Sequence, residues 1–287
     1  MTAIKPPRQP RALELGAVSF LNARPLIHEL DRTPGIRLST DVPSRLADRL
    51  ADGAFDVALI PIIDVIRSGG RYAVVSDACI GCEAETMTVR VFSQRPPHTL
   101  TRLHVDGDSH TSVALARVIW RELFDRDLEI VPFADGARPE SVESVLLIGD
   151  KVVNPARGSF AYEVDLGGAW REHTGLPFVF AVWAGAPRSG DADFSPAETQ
   201  LLFEALGSAR DRGVAIADRI ATEQGPALGW TPPLATRYLT RCLRFTLDAR
   251  MIEGVERFAE LTGEAGASAP IRWPERLRLI CSAEREE

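Results

Sequence analysis

Residues 43–61 read PSRLADRLADGAFDVALIP, and this stretch decides the fold class. Its first half places two leucines four residues apart and stops at Gly53, a pattern typical of a short amphipathic helix. Residues 55–60 (FDVALI) then read as a buried strand that Pro61 closes. Because the earlier apolar run at residues 13–19 (LELGAVS) reads as a first strand, the order strand, helix, strand predicts a parallel α/β sheet.

The same alternation continues along the chain. Residues 109–112 (SHTS) should open a helix whose apolar residues recur at every fourth position. Two sheets fit the series of strands better than one. Further strands are expected at residues 89–93, 103–105, 128–133, 145–148 and 178–183.

The last third of the chain has helical periodicity. The tetrapeptide SPAE from Ser195 is a capping-box signature with proline at the first helical position, so a helix should begin there and end near Gly213. Two more helices are expected at residues 234–247 and 251–261. These helices should cover a sheet that is built earlier in the chain.

Composition limits the classes of partner. The chain has 287 residues with 33 Lys and Arg against 40 Asp and Glu, a formal charge of −7, which disfavours broad binding to nucleic acids or anionic membranes. With 45% hydrophobic residues, an ordinary globular core is expected. Residues 1–12 read as a flexible leader without the apolar region of a secretory signal. We therefore expect a cytoplasmic protein with neither a nucleic-acid nor a membrane partner.

Cysteine and histidine spacing does not favour a metal site. Cys79 and Cys82 form a single CxxC pair with no second pair and no histidine nearby, which is a weak zinc signal. Small buried apolar residues at the end of a strand are the more ordinary interpretation. The five histidines show neither HxxxH nor HExxH spacing. No metal is expected.

The first candidate site is VSFLNARPL at residues 18–26, directly after the first predicted strand. Open parallel sheets present ligand-binding loops at this position. Ser19 and Asn22 offer neutral donors and acceptors, and Arg24 carries a charge that attracts an anion. The alternative is a strand-to-helix turn in which Asn22 caps the helix.

Two further loops follow predicted strands. Residues 106–112 (DGDSHTS) combine hydroxyl groups with a helix start, which favours a carboxylate or phosphate, although capping is their ordinary role. Residues 147–150 (LIGD) place a glycine just past a strand end. The sequence contains no GxGxxG, GxxxxGK[ST] or GxSxG, so dinucleotide, nucleotide and α/β-hydrolase sites lack support.

Several segments carry a family resemblance. They are SFLNARPL (19–26), FDVALIP (55–61), TVRVFSQRP (88–96), DGDSHTSVAL (106–115), LLIGD (146–150), DLGGAWREHTGLPFVFAVW (165–183) and YLTRCLRFTLDARMIEGVERFAEL (238–261). Together, and in this order, they resemble the chorismate dehydratases of the futalosine route of menaquinone biosynthesis. The sister dihydroxynaphthoate synthases would instead carry an SPCPND-like opening, which is absent.

The resemblance implies a fold and a domain arrangement. The expected architecture is the two-lobed type II periplasmic-binding-protein-like fold, an α/β fold with a ligand cleft between the lobes. Residues 89–92 would carry the chain to the second lobe and residues 178–183 would return it. Lobe one would comprise residues 13–92 plus 183–287, and lobe two residues 93–182.

The resemblance also implies a reaction. The family removes the C4 hydroxyl of chorismate as water together with the C3 proton, leaving 3-[(1-carboxyvinyl)oxy]benzoate. The resemblance implies that the substrate's own enolpyruvyl carboxylate takes the proton. Because aromatisation favours the product, positioning and modest polar stabilisation would suffice, and no cofactor is expected.

The resemblance also implies site residues, through their positions in the shared motifs. Asn22 and Thr88 would be catalytic, with Thr88 standing where most members have serine. Two positions depart from the family: Asp64 stands where glutamate is common, and Met87 ends a segment that is usually glycine-rich. Arg24 also stands where many members have an uncharged residue. The expected substrate-binding residues are Ser19, Arg24, Ile62, Ser109, Thr111, Ser112 and Gly149.

A second class of function stays open. The same fold mostly serves solute capture, and a fold alone does not assign chemistry. The alternative is therefore a non-catalytic cytoplasmic binder of a small carboxylate. The segment SFLNARPL favours the enzyme.

Overall fold

A computed structural model describes residues 11–107, 110–134, 136–154, 158–185, 194–264, 266–267 and 269–277, with only the backbone at residues 43–44. Its strands are β1 (Leu13–Val18), β2 (Ile36–Asp41), β3 (Val57–Pro61), β4 (Ala73–Cys82), β5 (Val89–Ser93), β6 (Arg102–Val105), β7 (Glu129–Pro132), β8 (Ser144–Ile148), β9 (Tyr162–Asp165), β10 (Phe178–Gly185) and β11 (Leu243–Thr246). Its α-helices are α1 (Pro43–Ala51), α2 (Ile62–Arg67), α3 (His110–Phe124), α4 (Asp150–Val153), α5 (Leu166–Thr174), α6 (Pro196–Ala215), α7 (Ala217–Gln224), α8 (Pro232–Arg237) and α9 (Ala249–Thr262).

The strands form two sheets, as the sequence predicts. The first has six strands in the order β11-β4-β10-β3-β1-β2, and the second has five in the order β7-β6-β8-β5-β9. In the first sheet β1 pairs in parallel with both β2 and β3. The helix α1 connects β2 to β3, so the predicted parallel α/β unit is confirmed.

The chain passes between the sheets twice. It leaves the first sheet after β4 and returns to it with β10, so that α5 lies on the return path. All of β5 pairs with β8 and β9, and all of β10 pairs with β3 and β4. Residues 89–92 therefore lie in the second sheet and residues 178–182 in the first, whereas the predicted lobe boundaries at 92/93 and 182/183 cut through these two strands.

Aromatic packing anchors the return path. Trp170 of α5, Phe178 of β10 and Phe258 of α9 pack edge to face, with ring centroids 4.9–5.9 Å apart. Such pairs add roughly 0.5–1.5 kcal/mol each beyond the area they bury. This cluster joins α5, which precedes the return, to the first sheet and its covering helix.

The last third of the chain follows the sequence prediction in part. The capping box at Ser195 is present, and α6 continues to Ala215. Gly213 lies inside the helix and is needed for packing. A Cβ there would lie 2.0 Å from the carbonyl oxygen of Pro25, so this close approach requires glycine. The predicted helix at residues 234–247 is correct only in its first part: α8 ends at Arg237, one turn of π-helix spans Tyr238–Cys242, and the chain then enters β11.

Candidate functional site

A cavity lies between the two sheets, at the carboxyl ends of β1, β3 and β8. Ligands bind at this edge of open α/β sheets. Its wall combines residues of both sheets with the segment that joins β4 to β5. The wall residues important here are Val18, Phe20, Asn22, Thr86, Thr88, Thr111, Ser112, Ile148, Gly149, Phe180 and Tyr238.

The wall of this cavity is uncharged. Among the described residues, none that lines it carries a charged side chain. Apolar side chains dominate, with a few hydroxyl groups and one carboxamide, which is the usual make-up of a small-molecule site. An anion in this cavity would therefore be held by neutral donors and by the dipole of a helix.

One polar cluster joins both predicted catalytic residues. The hydroxyl of Thr88 donates a hydrogen bond to the hydroxyl of Tyr238 at 2.7 Å, and the carboxamide of Asn22 lies beside the same group. Burial raises the pKa of Tyr238 well above its ordinary value, and these two neighbours only partly offset the effect. Tyr238 is therefore protonated across the physiological pH range.

Asn22 does not serve as the cap of a helix. It is the middle residue of the 3-10 turn Leu21–Ala23, whose N-cap is Phe20 without a side-chain hydrogen bond. Leu21 and Ala23 are fully buried on either side. The alternative that assigned Asn22 to capping is wrong.

Thr88 is held by the segment between the sheets. The carboxylate of Asp165 accepts the backbone N–H groups of Thr86 at 2.9 Å and Met87 at 2.8 Å. Met87 has a φ of 67°, a left-handed conformation that a long side chain adopts only under constraint. The carbonyl of Thr88 accepts the N–H of Gly149 at 2.9 Å, which ties this segment to the end of β8.

The start of α3 supplies hydroxyl groups to the opposite wall. Thr111 and Ser112 both line the cavity and are buried. The hydroxyl of Thr111 accepts the N–H of Ile63 at 3.3 Å and donates to the carbonyl of Phe180 at 3.2 Å, so it joins α3 to the first sheet. Ser109 lies outside the described residues.

Gly149 occupies a conformation that favours glycine. Its φ is 58° and its ψ is −138°, a combination that L side chains rarely adopt. A Cβ at this position would lie 3.0 Å from the ring of Phe20. The glycine lets β8 and the Asn22 turn approach each other at the cavity.

Three predicted substrate-binding residues do not line the cavity. Ile62 is fully buried in the core. The carbonyl of Ser19 accepts a hydrogen bond from the guanidinium of Arg24 at 3.1 Å. The charge of Arg24 also acts on the carboxyl of Asp150, so this arginine lies behind the wall rather than on it.

Two further pairs join the sheets beside the cavity. Asp150 accepts the indole N–H of Trp230 at 2.7 Å, and burial is the main cause that raises its pKa above the ordinary value. At the start of α3, His110 lies 2.9 Å from a carboxylate oxygen of Asp64. This hydrogen bond raises the pKa of His110 above its ordinary value. The unusual Asp64 is therefore a partner for α3.

Sequence reasoning missed Tyr238, Phe180, Thr86 and Trp230. Tyr238 falls inside the helix predicted at residues 234–247, where its spacing gives no reason to single it out. The aromatic pair Trp230 and Tyr238, stacked with centroids 4.7 Å apart, is separated by a proline-initiated helix. One signal was available in the sequence: Thr86 carries a hydroxyl group two residues before Thr88.

Three findings concern metal-binding side chains, thiols and membrane-spanning helices. In the described parts of the chain, no group of three His, Cys, Asp or Glu side chains is arranged to hold a metal ion. Cys79 and Cys82 are buried free thiols at the end of β4, and burial raises the pKa of each, which lowers thiol reactivity. No helix among the described residues has the length and apolar character needed to cross a membrane.

Comparisons with known proteins agree with this architecture. A family model described as menaquinone biosynthesis matches residues 13–264. A chorismate dehydratase of Thermus thermophilus is 27% identical over 289 residues, which covers 92% of this chain and 100% of that protein.

Solved structures support the two-lobed fold. A protein of Archaeoglobus fulgidus superposes with a TM-score of 0.69 at 14% identity, covering 87% of this chain and 96% of that one. The periplasmic aliphatic sulphonate-binding protein of Escherichia coli superposes with a TM-score of 0.59 at 16% identity, covering 95% of this chain and 97% of that one. Because the family model extends over both sheets and both crossings between them, the chain belongs to the menaquinone biosynthesis family.

Proposed function

We propose that this protein is a chorismate dehydratase, a hydro-lyase that converts chorismate to 3-[(1-carboxyvinyl)oxy]benzoate and water. The observation that carries the proposal is the meeting of Asn22 and Thr88 at one buried hydroxyl in the cavity between the sheets. These residues come from two distant motifs of the family resemblance. The Thermus relative, which carries this enzyme name, supports the same conclusion.

The site would act on chorismate mainly by positioning. Chorismate is a dianion with two carboxylates and a neutral C4 hydroxyl. The cluster of Asn22, Thr88 and Tyr238 holds the reacting region, and the start of α3 with Thr111 and Ser112 takes a carboxylate through its N–H groups and dipole.

The elimination would be assisted by the substrate itself. Its enolpyruvyl carboxylate takes the C3 proton, the C4–O bond breaks, and the ring becomes aromatic. Since aromatisation drives the reaction forward, a neutral, shaped cavity that fixes one conformer supplies the main acceleration. The proposal uses no cofactor. The expected cytoplasmic location stays a prediction.

The test is direct. Purified protein is added to chorismate, and formation of the aromatic product is followed by absorbance and identified by mass. We expect the product to form in proportion to the enzyme concentration. Chorismate that binds but is recovered unchanged would reject the enzyme in favour of the carboxylate binder.

A further inference from the structure

The hydroxyl of Tyr238 is a wall group of the cavity that no predicted role uses. It accepts a hydrogen bond from Thr88 at 2.7 Å, and the carboxamide of Asn22 lies beside it. Tyr238 is 1% exposed, so within the protein its hydrogen bonds are set by these neighbours.

The second polar group in this corner of the cavity is the carboxamide of Asn22. Asn22 Oδ1 is buried and has no hydrogen-bond partner among the described residues. Tyr238 accepts the hydrogen bond from Thr88, and its own proton has no acceptor among the described residues.

This corner of the cavity thus presents one donor beside one acceptor, the O–H of Tyr238 and Asn22 Oδ1. A carboxylate matches this pair poorly, because it only accepts and would face a second oxygen. A neutral hydroxyl matches both, since it accepts from one group and donates to the other. The negative charge of Asp150, which acts on Tyr238, further disfavours an anion here.

The geometry points to Tyr238 as a catalytic residue that donates a hydrogen bond to the departing C4 hydroxyl of the substrate, while Asn22 Oδ1 accepts a hydrogen bond from that hydroxyl. This inference rests on the proposed function. As the C4–O bond breaks, its electron pair moves to the oxygen, and the C3–H pair forms the new ring double bond. The proton taken by the substrate carboxylate ends on the departing oxygen, which leaves as water.

Tyr238 keeps its own proton throughout. Burial raises the pKa of Tyr238, so it serves as a hydrogen-bond donor to developing negative charge rather than as an acid that ionises. The donor is held in place because the ring stacks on Trp230 at 4.7 Å, and the indole of Trp230 donates to Asp150. A fixed donor spends no energy on reorganisation when the bond breaks.

The experiment compares the wild type with Tyr238→Phe, which keeps the ring and its stacking. We expect kcat to fall about 100-fold and KM for chorismate to change by less than about threefold. The product lacks the C4 hydroxyl, so its dissociation constant should stay within about twofold of the wild-type value. The control is Tyr72→Phe, the same change at a tyrosine that is 7% exposed and does not line the cavity, and it should keep wild-type turnover.

Each outcome has a distinct meaning. A kcat for Tyr238→Phe within about twofold of wild type would reject the role of Tyr238 while leaving the proposed function intact. A parallel loss of product affinity and turnover would make Tyr238 a structural residue. A wild type that leaves chorismate unchanged would reject the proposed function, and this inference with it.

Discussion

The polar residues of the cavity are few, and each is fixed by its immediate neighbours. Asn22 projects from a 3-10 turn because Leu21 and Ala23 on either side are fully buried. Thr88 is held by Thr86, whose hydroxyl accepts its N–H at 3.2 Å. Because a donor that is already oriented need not be reordered in the transition state, the effects of single substitutions should be seen in turnover.

Asn22→Ala should lower kcat far more than it lowers stability. The substitution removes the acceptor Asn22 Oδ1, which has no partner among the described residues, so we expect turnover to fall on the order of 100-fold. The free energy of unfolding should fall by about 1 kcal/mol, the value of one net hydrogen bond. Turnover assays and urea unfolding measure the two effects, and turnover equal to the wild type would refute the role of Asn22.

Gly149→Ala should reduce both stability and turnover. A side chain at a φ of 58° is strained, and its Cβ would press on Phe20 at 3.0 Å, so we expect a loss of about 1–3 kcal/mol in unfolding free energy. The matched control is Gly53→Ala, at a φ of 74° with no atom within 4 Å of the added Cβ. Gly53→Ala should lose stability by backbone strain alone and keep wild-type turnover. Equal turnover in both variants would contradict this view of Gly149.

At the scale of elements, α5 fixes the segment that carries Thr88. Asp165 is the N-cap of α5 and accepts the N–H of Gly168 at 3.0 Å. The same carboxylate accepts the N–H groups of Thr86 and Met87. One helix start therefore sets the path of the chain where it leaves the first sheet, and it holds Met87 in its left-handed conformation.

Asp165→Asn should displace Thr88. The amide turns an N–H₂ group toward a backbone donor, so we expect a loss of about 1.5–3 kcal/mol in unfolding free energy and a fall in kcat. The matched control is Asp248→Asn, since Asp248 caps α9 by accepting the N–H of Met251 at 2.8 Å, away from the cavity. The control should lose about 1 kcal/mol and keep its turnover. If both variants keep wild-type kcat, α5 does not position Thr88.

At the scale of the whole molecule, side chains on opposite sides of the cavity hold the two sheets together. Asp150 binds Trp230, Thr111 binds the first sheet, and His110 binds Asp64. Each contact joins an element after β5 to one in the first sheet or its helices. The arrangement of the two sheets therefore depends partly on charge.

Stability should depend on pH through His110. The carboxylate of Asp64 raises the pKa of His110 in the folded state, and burial lowers it. Two smaller contributions come from Arg67, which lowers this pKa, and from Asp48, which raises it. The pair therefore stabilises the fold fully below the ordinary histidine pKa of about 6.5, and this contribution is lost as pH rises through the higher folded value. We expect unfolding free energies from urea titrations to show this slope in the wild type. Both His110→Gln and Asp64→Asn should remove it, and an unchanged slope in both would contradict the assignment.

Local pattern was enough for much of the fold. The spacing of α1, the capping box of α6 and the buried run of β3 are properties of consecutive residues, so they could be predicted without knowing any distant contact. The helix predicted at residues 234–247 failed in its last part because Leu243 and Phe245 are buried and Arg244 and Thr246 are exposed, a strand alternation set by pairing with β4. Whether residues 243–246 form a helix or a strand therefore depends on β4, which is far away in sequence.

The sequence by itself determined the fold class, many of the strands and the loops that carry Asn22, Thr88 and Thr111. Only the tertiary structure decided that Tyr238 reaches Thr88 across 150 positions of chain, and that Arg24 lies behind the wall. The physical reason is that a motif fixes backbone conformation over a few residues, whereas the partner of a buried polar group is chosen by packing between elements. The donor and acceptor that Tyr238 and Asn22 offer to a ligand are brought together by that packing.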